Sequence, residues 1–167
     1  MSWADAHGTD APLAYLITFR TYATWLPGDA RGTVDRLHNQ PGTPLLPPDP
    51  RRREGAHRRT GVPIVLSPAH RDVVQGAIIE VCRHRRWELY ALNVRSNHIH
   101  VVVSGAETPE RILNAFKAWS TRRMRQADLL PAEVQPWSRH GSTRYLWKAD
   151  QVQAACRYMQ EAQDEQR

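Results

Sequence analysis

Residues 88–104 read ELYALNVRSNHIHVVVS, and this stretch decides how the chain folds. Two runs rich in β-branched and apolar residues, 89–94 and 98–103, flank Arg95-Ser96-Asn97, which is a hairpin signal. The second run sets His98 and His100 one residue apart, immediately ahead of three valines. Residues i and i+2 of a strand share a face, so the two imidazoles project together while Ile99, Val101 and Val103 turn to the other side. Two readings follow. The histidines are polar residues on the wet face of a half-buried strand, or they are two ligands of one divalent ion. A catalytic metal site would need a third ligand and an open position besides.

Outward from the hairpin, the other elements fall into a recognisable order. Residues 13–22, LAYLITFRTY, mix β-branched and aromatic residues in partial alternation and read as a strand. Ser67 and Pro68 then supply an N-cap and a first helical position. Behind them Val73, Val74, Ala77, Ile78, Val81 and Cys82 recur at helical spacing. Thr108 and Pro109 open a second helix with Ile112, Leu113, Phe116 and Trp119 on its apolar stripe. Residues 129–142 read as a connection, TRYLW (143–147) as a short strand, and 148–163 as a last helix carrying Val152, Ala155, Cys156 and Met159 on one side. The order β-α-β-β-α-β predicts an α+β, ferredoxin-like sheet with helices on one face. The histidine strand is expected to be central, and the last helix is left to cross the opposite face.

The 167 residues fit one domain, 1–167, interrupted by a Pro- and Arg-rich insertion at about 27–66 that is too long for an ordinary loop. No run approaches the length of a membrane span, and the first residues lack the basic start and apolar block of a secretory leader. A cytoplasmic protein with no membrane partner is expected. Cys82 and Cys156 sit within helical patterns and read as buried, inert thiols rather than a disulfide framework. The net charge is +6, and all 23 basic residues except Lys117 and Lys148 are arginine. Arginine clusters at 51–53, 83–86 and 122–125 suit a phosphate backbone. For Arg122, Arg123 and Arg125 a solvated helix face is the simpler expectation.

Tyr158 lies on the flank of the last helix's apolar stripe. A tyrosine there commonly caps a core with its hydroxyl at the rim. A phenol beside a metal-bound phosphate is instead a competent nucleophile: the cation stabilises the charge that develops on the phosphoryl oxygens, and attack yields a covalent phosphotyrosine.

The strand NHIHVVV (97–103) resembles the His-hydrophobic-His motif of the HUH endonucleases, and Tyr158 on a late helix resembles their single catalytic tyrosine. Element order, length, TWLPGDARG (24–32) and RHGSTRYLW (139–147) are similar to the IS200-like, or REP-associated, single-tyrosine transposases, over about residues 13–163. The resemblance implies a metal-dependent endonuclease and strand transferase acting on single-stranded DNA, often beside a hairpin, through a 5′-phosphotyrosine. It implies Mg²⁺ or Mn²⁺ held by His98, His100 and a side-chain oxygen from the tyrosine helix, and a homodimer as one form the chain can take. In familiar members that oxygen follows the tyrosine by four positions. Here that position is Ala162, which cannot coordinate a metal. Gln163 is the expected ligand, since YMQEAQ (158–163) looks like a variant tyrosine helix, with Glu161 as the alternative. A catalytically silent nucleic-acid-binding module of the same fold is the competing functional reading.

Three further residues are candidate DNA contacts. Trp25 could stack on an unpaired base and Arg31 could meet a phosphate, against a plain reading of Trp25 as packed under a loop. Arg139 precedes a Gly-Ser pair and could bind DNA or belong to a turn. A zincin H-E-x-x-H is absent, as is a second His-x-Ser/Thr motif.

Overall fold

The computed structural model describes residues 11–23 and 63–164, with side chains as far as Glu161. Trp25, Arg31 and most of the 27–66 insertion lie outside the described residues, as does the side chain of Gln163. The described elements are β1 (Ala14–Thr21), α1 (Pro68–Arg85), β2 (Glu88–Val94), β3 (His98–Ser104), α2 (Pro109–Gln126), β4 (Trp137–Leu146) and α3 (Ala149–Asp164).

The strands form one sheet in the order β2-β3-β1-β4, with every neighbouring pair antiparallel. This is the split β-α-β arrangement expected from the sequence, and the histidine strand is indeed internal. Alternation divides each strand between two layers. Ile17 and Phe19 of β1 and Ile99, Val101 and Val103 of β3 join Val74, Ile78, Val81, Ile112 and Phe116 in the main core, beneath α1 and α2. The opposite face carries a smaller cluster, in which Ala14, Val102, Leu146 and Met159 are buried together and Val152, Ala155 and Cys156 of α3 pack against them. The last helix therefore covers the face to which His98 and His100 belong.

Local signals explain the element boundaries. Ser67 Oγ accepts from the backbone N–H of His70, while His70 Nδ1 accepts from the backbone N–H of Ser67, closing a capping box ahead of Pro68. His70 Nε2 reaches the carbonyl of Leu129 at 2.8 Å, which ties α1 to the segment after α2. Thr108 caps α2 by accepting from the N–H of Arg111, with Pro109 in the first turn. Cys82 is buried and its thiol is pushed up to about 11, as the inert reading requires.

Two expectations are corrected. The short strand at 143–147 is the second half of a ten-residue strand that begins at Trp137 and includes Arg139, His140, Gly141 and Ser142. It pairs with β1 from Ala14↔Leu146 to Thr21↔Trp137, with an irregularity between Phe19 and Thr21. Its middle is polar because β4 is an edge strand, exposed where a central strand would be buried, so alternation could not reveal it. Gly141 is required here: a Cβ would come within 2.8 Å of both the Thr18 carbonyl and Leu113 Cδ2. The second correction concerns the arginine run on α2. Arg123 donates to both carboxylate oxygens of Glu80 on α1, with Nε 2.8 Å from Oε2, and Arg125 donates through Nη2 to the Val134 carbonyl at 3.1 Å. Arg123 thus turns to α1 while Arg122 and Arg125, three positions apart, share another side of the helix, so the run is not one solvated face.

Candidate active site

The histidine pair is built by the β1–β3 ladder. Thr18 lies opposite His100 and Arg20 opposite His98, while Asn93 of β2 lies opposite His100 on its other side. The loop entering β3 is fixed by backbone bonds: Thr21 donates to the Asn97 carbonyl at 3.0 Å and Leu66 to the Ser96 carbonyl at 2.7 Å. The imidazoles meet edge to face, with centroids 4.8 Å apart and planes inclined by 77°.

Each ring is oriented through Nδ1. His100 Nδ1 is 2.8 Å from Thr18 Oγ1, and His98 Nδ1 is 2.6 Å from Asn97 Oδ1. In the tautomer in which Nδ1–H donates to these oxygens, the lone pair of each ring sits on Nε2. This is the outer-shell arrangement that metal-binding histidines use. Burial, and then the nearby charges of Arg20 and Arg95, lower the pKa of His100 to about 4. The ring is thus neutral at ordinary pH, as ligation demands.

Helix α3 is tied to this same neighbourhood. Asn93, 4% exposed, donates through Nδ2 to the carbonyl of Met159 at 3.4 Å, and the Met159 side chain is buried with Val102. Tyr158, the preceding residue, is 61% exposed. That value rules out the core-cap reading, since a tyrosine closing a core would hide its ring. Glu161 is exposed. Among the described residues no three of His, Cys, Asp and Glu come together as a metal cluster, so Glu161 is not grouped with the pair. Arg139 lies on the exposed part of β4, at the α2 side of the sheet.

Thr18, Asn93, Asn97, Arg20 and Arg95 were not singled out in the sequence. A signal existed for two of them. Thr18 and Arg20 sit two apart on a strand that ends opposite the histidines, but the pairing register that brings them there is a tertiary fact.

The family model for IS200-like transposases matches residues 63–159. The chain belongs to that family. The match spans α1 through Met159 and so includes His98, His100 and Tyr158. Two solved structures share the fold. One is a protein assigned as a transposase from Deinococcus radiodurans R1, 15% identical, with a TM-score of 0.52 over 97% of this chain and 96% of that one. The other is a REP-associated tyrosine transposase bound to a REP hairpin, 13% identical, with a TM-score of 0.52 over 95% of this chain and 71% of that one. No curated protein matches the chain significantly. This IS200-like chain has no helix among its described residues that is long and apolar enough to cross a membrane.

Proposed function

We propose that this IS200-like protein is a metal-dependent single-strand DNA endonuclease and strand transferase with Tyr158 as its nucleophile. The observation that carries the proposal is the pair of imidazoles, both oriented through Nδ1, on the sheet face crossed by the helix that bears Tyr158. His98 and His100 would hold Mg²⁺ or Mn²⁺ through Nε2, with Gln163 as third ligand and Glu161 as the alternative. The bound cation would polarise a phosphoryl oxygen of the scissile group.

The Tyr158 phenol gives up its proton and its oxygen attacks phosphorus. The P–O bond to the departing 3′-oxygen breaks, and the proton taken up there leaves a free 3′-hydroxyl. The 5′-phosphotyrosine conserves the diester, so attack by a new 3′-hydroxyl rejoins strands without an external energy source. The hairpin held by the REP-associated relative makes hairpin-bearing single-stranded DNA the natural substrate to test.

The competing reading is a silent DNA-binding module of the same fold. It draws support from Ala162 at the expected ligand position. One experiment separates them. Incubation with a single-stranded hairpin oligonucleotide and Mn²⁺ should give a covalent protein–DNA adduct that disappears in Tyr158→Phe. An adduct persisting in that variant would remove Tyr158 from the nucleophile's role, and no adduct with the native protein would favour the silent module.

A further inference from the structure

Between α3 and the edge strand β2 lies a cavity of about 820 Å³, a size that suits a small-molecule ligand. It opens at the end of the β2–β3 ladder where Glu88 pairs with Ser104, whereas His100 pairs with Asn93 nearer the other end. Ser104 follows His100 by four residues on the same face, which places it about 13 Å along the strand. Gln153 and Arg157 line the cavity from α3. Tyr158, five positions beyond Gln153, is turned about 140° away around the helix. The cavity is therefore separate from the candidate active site and shares only α3 with it.

Its lining combines an aromatic ring, one acid and one base. The β2–β3 register slips between Leu89 and Ala91, which leaves Tyr90 without a partner residue in β3. A bulge of this kind re-aims a side chain, and Tyr90 lines the cavity with its ring 42% exposed. Burial, and then the charge of Glu88 beside it, raise the pKa of the Tyr90 phenol, which therefore stays protonated. Val152 contributes apolar surface from α3, so a planar ring laid on Tyr90 is covered on two sides. Among the described lining residues Glu88 is the one carboxylate and Arg157 the one cation. Gln153 and Ser104 add neutral donors and acceptors.

We propose that this cavity binds a nucleoside 5′-phosphate with guanine as its base. The base stacks on Tyr90, and the phosphate meets the Arg157 guanidinium, which suits it by charge and by its forked donors. Glu88 selects the base. An ionised carboxylate only accepts, and guanine alone among the common bases presents two adjacent donors, N1–H and N2–H₂. Adenine and cytosine set a donor beside an acceptor, and thymine sets its N3–H between two carbonyls, so each brings a lone pair against the carboxylate. A ligand seated here touches β2 and α3 together and braces the helix on the sheet. The inference does not depend on the nuclease reading.

Calorimetric titration of the full-length protein with GMP, AMP, CMP and guanosine tests it. GMP should bind at least about tenfold more tightly than AMP or CMP, the scale of a charge-assisted hydrogen bond. Glu88→Gln should abolish that preference, because an amide presents a donor where guanine also donates. Arg157→Met should bring GMP down to the affinity of guanosine. Both positions are exposed, and an unaltered melting profile confirms that each variant folds. GMP should also slow amide hydrogen exchange over 149–157 in the native protein and not in Glu88→Gln. The nucleotide can arrive free or within a single strand, and a dT pentamer with a central dG separates the sources. Tighter binding of the pentamer than of GMP assigns the cavity to a strand, and binding of GMP alone assigns it to a free nucleotide. Equal binding of GMP, AMP and CMP overturns the proposal. So does a guanine preference that survives Glu88→Gln, or GMP affinity unchanged in Arg157→Met, since binding would then lie on another basic surface.

Discussion

Asn93 and Met159, 66 positions apart in sequence, are joined by a hydrogen bond from the Asn93 side-chain amide to the Met159 carbonyl, 3.4 Å away. Asn93 also lies opposite His100 in the β2–β3 ladder. One buried polar side chain on β2, the strand beside the histidines, therefore links the sheet to the helical turn that carries Tyr158. Replacing Asn93 by Ala should cost about 1 kcal/mol of stability, the usual net worth of such a bond. It should also speed amide hydrogen exchange in the last turns of α3 more than elsewhere. Uniform exchange across the helix would show that the bond does not tether it.

Thr18 holds His100 Nδ1 at 2.8 Å. Thr18→Val keeps the shape and removes the oxygen, freeing the ring to turn and to change tautomer. Outer-shell losses of this kind cost about 10–100-fold in metal affinity or activity. Mn²⁺ titration of adduct formation should shift to higher concentration by that order, while Thr18→Ser should restore most of it. Equal Mn²⁺ dependence in Thr18→Val and the native protein would refute the role.

Acid should weaken the fold through His100. Its pKa in the folded chain is lowered to about 4 from an ordinary value of 6.5, chiefly by burial. Between those values the unfolded chain binds more protons than the folded one, so stability rises with pH across that window. The contribution is complete above about pH 6.5 and is lost as pH falls towards 4. Denaturant midpoints of the native protein should fall more steeply over this range than those of His100→Gln. Parallel curves would place the acid sensitivity elsewhere.

Gly141 backs directly on the carbonyl of Thr18. A methyl group there must displace either β1 or Leu113, so Gly141→Ala should destabilise by about 1–3 kcal/mol, the range typical of overpacking. Because Thr18 also orients His100, Mn²⁺ dependence should worsen along with the melting temperature. A variant as stable as the native chain would mean that β4 relaxes away from β1 without strain.

Much of this architecture is written in local patterns. Ser67-Pro68 and Thr108-Pro109 cap their helices as expected. The 3.6-residue stripes and the alternation around Ile99 depend only on neighbours in the chain, so the element order and the shared face of His98 and His100 could be read directly. β4 escaped because an edge strand has no buried pattern to display. The arginines of α2 escaped because their partners, Glu80 and Val134, come from other segments.

The sequence by itself determined which residues could carry the chemistry: a His-x-His strand, a late helical tyrosine, and alanine at position 162 where an oxygen ligand was expected. Only the tertiary structure decided what stands around them. Cross-strand register brings Thr18, Arg20 and Asn93 beside the histidines, since side chains far apart in the chain become neighbours only when strands pair. Burial among those neighbours keeps His100 neutral, and packing against Val102 lays α3 on the histidine face. Periodicity assigns a residue to a face, but the neighbours it finds there are set by how the faces pack.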